Sequence, residues 1–432
     1  MLAACPFPAN HGTPGSIREL TEATAERGHE VHVVCYHMGE DLPLRNVHVH
    51  RIADWTGERT VTVGPTRRRP LYDLQMVFRT MSVMRRYRLD LMHAHGYEAA
   101  LVAACCRPVV RRPVLYSAHT RMGDELASYS AFRSKRLANG LAWALDRTVP
   151  RIGTRCLPHS ENLAKFLASR GLQDRSEPVL NFGIDFDRHP RGDRHALRRE
   201  HGFGDEPIVM YSGVMDRFQR LDLLLEAMPQ VLQRAPQARL VMLVNVAHQE
   251  HEAAIRREAE RLGLAERVHL LHPGSLENGL RLLAMADVAV VPRPAAPGFP
   301  IKLLNYMAAE LPCVMFASSA SGIVDRRHAL LAPVDTAAAL GRSITEALDD
   351  DALRQRIARG GHELVRARHD RRQAAATLCQ VYQRLLEPTR LWRQIEERPT
   401  VRGVGGLTAV GSQSNGSADA ALDQEALLDA IA

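Results

Sequence analysis

Pro207-Ile208-Val209-Met210-Tyr211-Ser212-Gly213 decides how this chain is read. An unbroken apolar run closed by a glycine is the pattern of a strand covered on both faces. The spacing after it predicts a helix from about Leu221 to Gln233, with Leu223, Leu224, Ala227 and Val231 on one side. A strand at Arg239–Val244 follows, then a charged helix from about His251 to Leu262. Val268–Leu271, Val288–Val291 and Cys313–Phe316 are further strands. Strands separated by helices imply a parallel sheet with helices on both faces.

Working backwards, the same alternation fills the first half. Val31–Tyr36 is a strand preceded by a helix from about Ser16 to Arg27 and a turn at Gly28. Leu89–Ala94 and Pro113–Ser117 are strands with a helix between them, and Arg155–Pro158 and Val179-Leu180 read as the last strands of this half. Met1–Pro6 has no basic region and no full apolar core, so it does not read as a secretory signal. It reads as the tail of a buried strand, with little of that strand left after Met1. The expected fold is α/β, two doubly wound, Rossmann-like parallel-sheet domains facing a cleft.

The Gly-, Pro- and Asp-containing stretch Gly183–Asp193 marks the junction. The expected domains are residues 1–186, residues 187–370, a helical segment 371–398 packing back across the domains, and a disordered tail 399–432. A long helix from about Arg371 should end or kink at Pro388 and resume from Thr389 to about Glu397. The tail is Gly- and Ser-rich, although Asp423–Ile431 has the spacing of a short amphipathic helix.

The bulk numbers fit two domains: 432 residues, 45% of them hydrophobic. No run of about 18 apolar residues occurs, so no membrane-spanning helix is expected. Seven scattered cysteines without a C-x-x-C read as reduced thiols of a cytoplasmic protein, with neither disulfide framework nor zinc motif. The net charge of +7 is lopsided: residues 1–186 carry 25 Lys+Arg against 18 Asp+Glu, and the remainder is balanced. The excess lies at Arg67-Arg68-Arg69, Arg85–Arg88, Arg107, Arg111-Arg112 and Arg133–Arg136. Such a face suits an anionic membrane surface or a phosphorylated acceptor, and equally an ordinary solvated surface. With only 5% aromatic residues and no nucleic-acid module, nucleic acid is not an expected partner.

Ligands of open parallel sheets bind beyond the carboxyl ends of strands. After the first strand come Gly12 and Gly15, with Ser16 and Glu19 at capping-box spacing, a possible phosphate loop. His95 and Tyr97 follow one strand, and His119 and Arg121 another. The His93/His95 pair has no third ligand nearby in sequence, so no metal is expected. In the second half Gly213 leads to Arg217, Gln219 and Arg220. Later Gly298-Phe299-Pro300-Ile301-Lys302 feeds a helix carrying Asn305. A Gly/Pro loop before a helix start offers amides to an anion, Lys302 a point charge, and Asn305 a hydrogen bond to a hydroxyl.

These residues resemble the family 4 retaining glycosyltransferases of GT-B fold. Gly28-His29-Glu30-Val31, Asn181-Phe182-Gly183-Ile184-Asp185, Tyr211-Ser212-Gly213 with Leu223–Ala227, and Ala286–Ala309 follow that family's ordered elements over about residues 1–390. The resemblance implies a nucleotide-sugar donor on the C-terminal domain and a glycan or lipid-linked acceptor on the N-terminal one. It also implies retention of configuration without an obligatory metal or cofactor, and His119 beside the sugar. His95, Tyr97 and Arg121 are then acceptor-side candidates. Gly12, Gly15, Gly213, Arg217, Gln219, Arg220, Gly298, Phe299, Pro300, Ile301, Lys302 and Asn305 are donor-side ones. The chain departs from the family where two glutamates are usual, at Pro297 and Asn305, and where an Arg and a Lys are usual, at Val214 and Gln219. Glu310 replaces a glycine. Gln219, Lys302 and Asn305 match a branch lacking the glutamate pair; Arg220 stands where that branch keeps glycine. The expected activity is glycosyl transfer in bacterial polysaccharide or glycolipid synthesis, on the cytoplasmic face of the membrane. A degenerate GT-B protein serving as a partner or glycan-binding subunit, and an epimerase, remain as alternatives.

Overall fold

Val31–Cys35, an interior strand of the first half, is buried at every position, as a strand covered on both faces must be. It is β2 of a six-stranded sheet comprising β1 (Leu2–Ala3), β2, β3 (Val47–Arg51), β4 (Met92–His95), β5 (Val114–Ala118) and β6 (Arg155–Pro158). The order is β3-β2-β1-β4-β5-β6, with every pair parallel. The second sheet is built from β7 (Ile208–Gly213), β8 (Arg239–Val244), β9 (Val268–Leu271), β10 (Val288–Val291), β11 (Cys313–Phe316) and β12 (Leu330–Ala332). Its order, β12-β11-β10-β7-β8-β9, repeats the first and is again wholly parallel. Helices cover both faces of each sheet, so two doubly wound units result, as the alternating sequence pattern predicts.

The computed structural model describes residues 1–9, 12–40, 42–57, 68–126, 135–189, 192–246, 248–294 and 300–396. Met1–Pro388 form one compact unit. Of Thr389–Ala432, only the end of the helix Arg371–Glu396 falls within the described residues; the expected disordered tail lies outside them. No described helix is long and apolar enough to cross a membrane.

Three expectations about elements change. Val179-Leu180 is not a strand, and the first sheet is completed instead by β3. The second gains β12. The last helix is assigned continuously through Pro388. One proline removes one helical hydrogen bond, which packing can outweigh: Leu378, Val381, Tyr382 and Leu385 of this helix bury themselves against Leu20, Leu115, Leu157 and Leu180.

The junction is held by backbone and charge together. Ile184 donates to the His369 carbonyl at 2.6 Å, and Arg371 N returns a bond to Ile184 O at 3.1 Å. Gly183 has no substitute there, since a Cβ would fall 2.5 Å from the Arg371 Cα. Arg188 reaches Glu19 at 2.8 Å and Glu22 at 2.6 Å, and Arg371 reaches Glu26 at 2.9 Å and Asp185 at 3.1 Å. The cysteines are free thiols, five of the seven buried.

Candidate active site

In this strand order the topology switches between β1 and β4 in the first sheet and between β7 and β10 in the second, which opens a crevice beyond their carboxyl ends. β7 ends at Gly213; the chain leaving β10 passes Pro292-Arg293-Pro294 and later enters the helix Ile301–Ala308. Lys302 comes to rest on Gly213. Its Nζ donates to the Tyr211 hydroxyl at 2.5 Å and to Gln219 Oε1 at 2.8 Å, and stands 4.0 Å from the Tyr211 ring centroid. Gly213 has φ of +151°, and a Cβ there would fall 2.7 Å from Nζ, so both conformation and close approach require glycine.

Among the described residues no carboxylate lies within ion-pairing distance of Lys302. Burial, reinforced by the nearby Arg293, holds its ammonium well below the usual lysine range. A largely desolvated cation without an anion is poised to gain from receiving one. Arg293 is buried, with its guanidinium 4.7 Å from the Phe218 ring centroid, and adds a second positive charge. Sequence reasoning missed it; the available signal was an arginine between two prolines directly after a strand.

Ile301 and Asn305, from the same helix, line a cleft of about 530 Å³. Gly12, Gly15 and Ser16 face them from the first half, and Gly183–Asp185, Arg188 and His189 from the junction. Asn305 lines the cleft with His189, whose Nδ1 lies 3.0 Å from the Asp185 carbonyl. The capping box expected of Ser16 and Glu19 does not form: the helix already begins at Gly12, so Ser16 lies inside it and hydrogen-bonds back to the Gly12 carbonyl. Glu19 instead lines the cleft beside Arg188, and burial pushes its carboxyl up to about 7 despite that partner.

A second, adjoining cavity of about 240 Å³ gathers His95, His119 and His159 with Ser16, Asn181 and Phe182. His95 Nδ1 lies 3.2 Å from His119 Nε2, and the His119 and His159 rings stack at 4.5 Å. Phe182 stacks on His159 at 4.9 Å. Burial lowers the pKa of all three histidines, that of His159 to about 4. His159 was not among the expected residues. Its signal was positional, because β4, β5 and β6 each deliver a histidine at or just beyond the carboxyl end.

Other expected residues fall away from these cavities. Tyr97 is buried in the core, its hydroxyl donating to Asp146 at 2.5 Å, so it cannot face an acceptor. Arg121 is exposed and pairs with Asp124. Arg217 is exposed; Arg220 places its guanidinium on both oxygens of Asp222, at 2.8 to 3.1 Å. Arg220 is thus committed to Asp222, whereas Lys302 and Arg293 are the cations drawn in beside Gly213 and Tyr211. Gly298 and Phe299 lie outside the described residues; Pro300 precedes the helix and is buried.

The two departures from glycine have a backbone cost. Arg220 has φ of +54° and Glu310 +55°, the left-handed region where a side chain costs about 1–2 kcal/mol. Glu310 is exposed and closes the helix Ile301–Ala308. Glycine's greater unfolded-state entropy offsets part of the relief. Glu310→Gly is expected to stabilise by up to about 1 kcal/mol. Urea titration checks this, and a lowered midpoint counts against it.

The model described as Glycosyltransferase Family 4 matches residues 12–188, and that described as Glycosyl transferases group 1 matches residues 193–364. The D-inositol 3-phosphate glycosyltransferase of Geodermatophilus obscurus is 28% identical over 301 residues, 63% of this chain and 63% of that protein. That of Nocardia farcinica is 28% identical over 289 residues, 62% and 61%. The N-acetyl-alpha-D-glucosaminyl L-malate synthase of Bacillus anthracis is 23% identical over 320 residues, 71% and 76%. The chain thus spans a little under two thirds of the inositol-phosphate enzymes it matches. Among solved structures, sucrose-phosphate synthase from Thermosynechococcus elongatus superimposes with a TM-score of 0.76 at 19% identity, over 90% of this chain and 98% of that one. Anabaena HepE in complex with UDP and glucose gives 0.69 at 16% identity, over 88% and 98%. These likenesses establish the GT-B architecture.

Proposed function

We propose that this chain is a family 4 glycosyltransferase, a reading that the matches to both family models support, and that it moves a sugar from a nucleotide-sugar donor to a hydroxyl of a glycan or lipid-linked acceptor. The observation that carries this reading is Lys302. It is a largely buried ammonium, bonded only to neutral groups among the described residues, at the switch point of the second sheet. A donor diphosphate is an anion of the right kind for it. Arg293 and the first amides of the helix Ile301–Ala308 would share the charge that builds on the leaving group. Asn305 would hydrogen-bond the donor in the cleft, and His119 would lie beside the sugar from the adjoining cavity. HepE's complex with UDP and glucose supports a donor of this class.

In the proposed reaction the bond between the anomeric carbon and the diphosphate oxygen breaks, and a bond to the acceptor oxygen forms. The acceptor proton passes to the leaving phosphate oxygen, and configuration is retained. The test is a panel of nucleotide sugars, with released nucleotide read by mass spectrometry in the presence of glycan and lipid-linked acceptors. Acceptor-dependent release of one nucleotide is the expected result. Tight donor binding without release supports a non-catalytic subunit, and product from donor alone supports an epimerase.

The acceptor side suggests a membrane surface. Leu71, Leu74 and Phe78 are exposed on the helix Arg69–Arg86; Leu101 and Val109 on Gly96–Val110; Leu137, Leu141 and Trp143 on Lys135–Thr148. Exposed Arg68, Arg85, Arg86, Arg107, Arg136 and Arg147 are interleaved with them. Apolar side chains among arginines fit an anionic bilayer, at about 1 kcal/mol per basic residue near its surface. Arg85→Glu with Arg86→Glu is expected to weaken binding to phosphatidylglycerol vesicles at least about tenfold. Binding that ignores both salt and these substitutions removes the membrane reading.

A further inference from the structure

The three histidines of the smaller cavity form a donor set of which the transferase reading uses only His119. His95, His119 and His159 are 5%, 7% and 5% exposed, and one ring nitrogen of each lies within 4.8 Å of the other two. His95 Nδ1 and His119 Nε2 are 3.2 Å apart. Two imidazoles on a tetrahedral zinc, with bonds of about 2.05 Å, place their nitrogens about 3.3 Å apart. The outer nitrogens, His95 Nε2 and His119 Nδ1, are buried without a hydrogen-bond partner among the described residues. No partner at these outer nitrogens fixes the tautomer, so each inner nitrogen can present its lone pair to an ion.

The surroundings are those of a metal ligand. His159 Nδ1 lies 2.8 Å from the Leu180 carbonyl and must donate to it, which leaves Nε2 as a lone pair. Ser117 Oγ stands 3.2 Å from that Nε2 and 2.7 Å from His93 Nε2, and His93 Nδ1 is 2.7 Å from the Tyr382 hydroxyl. Ser117 has one proton to give. When it goes to His93, whose Nδ1–H then donates to Tyr382, the His159 lone pair is free.

We propose that His95, His119 and His159 bind a divalent transition-metal ion of the zinc class, with its remaining coordination open to the cavity. No ion on the donor diphosphate is implied, because that charge is met by Lys302 and Arg293. The sequence showed no third ligand near His93 and His95; the parallel order β4-β5-β6 supplies it by bringing three strand ends together.

A second cluster, Glu30, His32 and His48, also brings three ligand atoms together, but two of its members are exposed and both His32 nitrogens are engaged, with His50 and Glu30. It serves as the internal control. The test uses the full chain without a histidine tag, stripped by chelator and titrated with Co²⁺ and Zn²⁺ by visible absorption and calorimetry. One ion per chain is expected, with tetrahedral Co²⁺ bands. Its affinity should fall at least tenfold in His95→Ala and in His159→Ala, and stay unchanged in His48→Ala. X-ray absorption of the zinc-loaded wild type should show three imidazoles, a readout that does not depend on how the variants fold. No stoichiometric binding, or binding lost only in His48→Ala, overturns the proposal. The result stands apart from donor turnover, so either reading can fail alone.

Discussion

Lys302→Ala is expected to lower donor turnover by at least about a hundredfold while leaving the protein folded, because the ammonium is spent on the transition state and not on the fold. A charge-assisted hydrogen bond contributes about 1.5–3 kcal/mol, and a donor aimed at developing charge in a water-poor site contributes at the upper end or beyond. Among the described residues, Lys302 reaches the Tyr211 hydroxyl and Gln219 Oε1. Tyr211 keeps its own bond to the Val214 carbonyl, 2.6 Å, when the lysine is gone. Removing a desolvated cation that no carboxylate balances relieves a cost, and this compensates for the two lost bonds. Thermal melting of Lys302→Met should therefore move by only a few degrees, about 1 kcal/mol at most in either direction. Sugar-nucleotide turnover equal to wild type in either variant would remove this residue, and with it the proposed donor site. A large drop in stability would show instead that Lys302 is a structural residue.

What the sequence made legible follows from burial. β2, β5, β7, β8, β10 and β11 lie inside the sheets, and each reads as an apolar run because both faces are covered. The two strands missed, Val47–Arg51 and Leu330–Ala332, are edge strands. The first alternates valine with exposed or half-exposed histidine, and the second is three residues long, so neither carries the signal of an interior strand. The misread pair Val179-Leu180 is apolar for another reason: Leu180 packs under the last helix, against Leu378 and Tyr382. Apolar character reports burial, and only a run of it with the right flanks reports a strand.

The site was legible where topology alone decides it. Lys302 and Gly213 had to meet, since the loops after β7 and β10 adjoin in this strand order. Side-chain commitments were not legible. Arg220 and Lys302 are both basic residues near the same loop, yet one is paired with Asp222, two residues on, and the other has no carboxylate partner among the described residues. Tyr97 follows a strand end just as His119 does, but the first turn of its helix directs it into the core onto Asp146. Such choices depend on rotamers and on partners distant in the chain, such as Asp146, which also accepts bonds from the Met122 and Gly123 amides.

Acidification from pH 6.5 to 4 is expected to destabilise the protein more than any single surface substitution, because the histidines that build the smaller cavity are buried neutral. His159 is the quantified case: desolvation brings its pKa from 6.5 to about 4, against the smaller opposing effect of its bond to Leu180. In the unfolded chain it takes up a proton near pH 6.5, whereas in the folded chain it stays neutral until about pH 4. The unfolded state thus binds more protons across this window, so stability is full above pH 6.5 and is lost as the pH falls. The shift corresponds to about 3 kcal/mol for this residue alone. His93, His95 and His119 move in the same direction for the same first reason, burial, and their mutual repulsion would add to the cost once more than one is charged. Glu19 works the other way. Its carboxyl is raised by burial from 4.5 to about 7, so it favours the folded state at low pH and that contribution is lost as the pH rises through the same region. One carboxyl set against four histidines leaves a net loss on acidification. Urea midpoints at pH 7.5, 6.5, 5.5 and 4.5 should fall in order, with the steepest step below 6.5, and zinc should oppose the fall if the three-histidine site is real. Midpoints that hold steady or rise toward pH 4.5 would show that water or charge reaches these rings, and the buried, neutral histidines on which both His119 and the metal site depend would have to be given up.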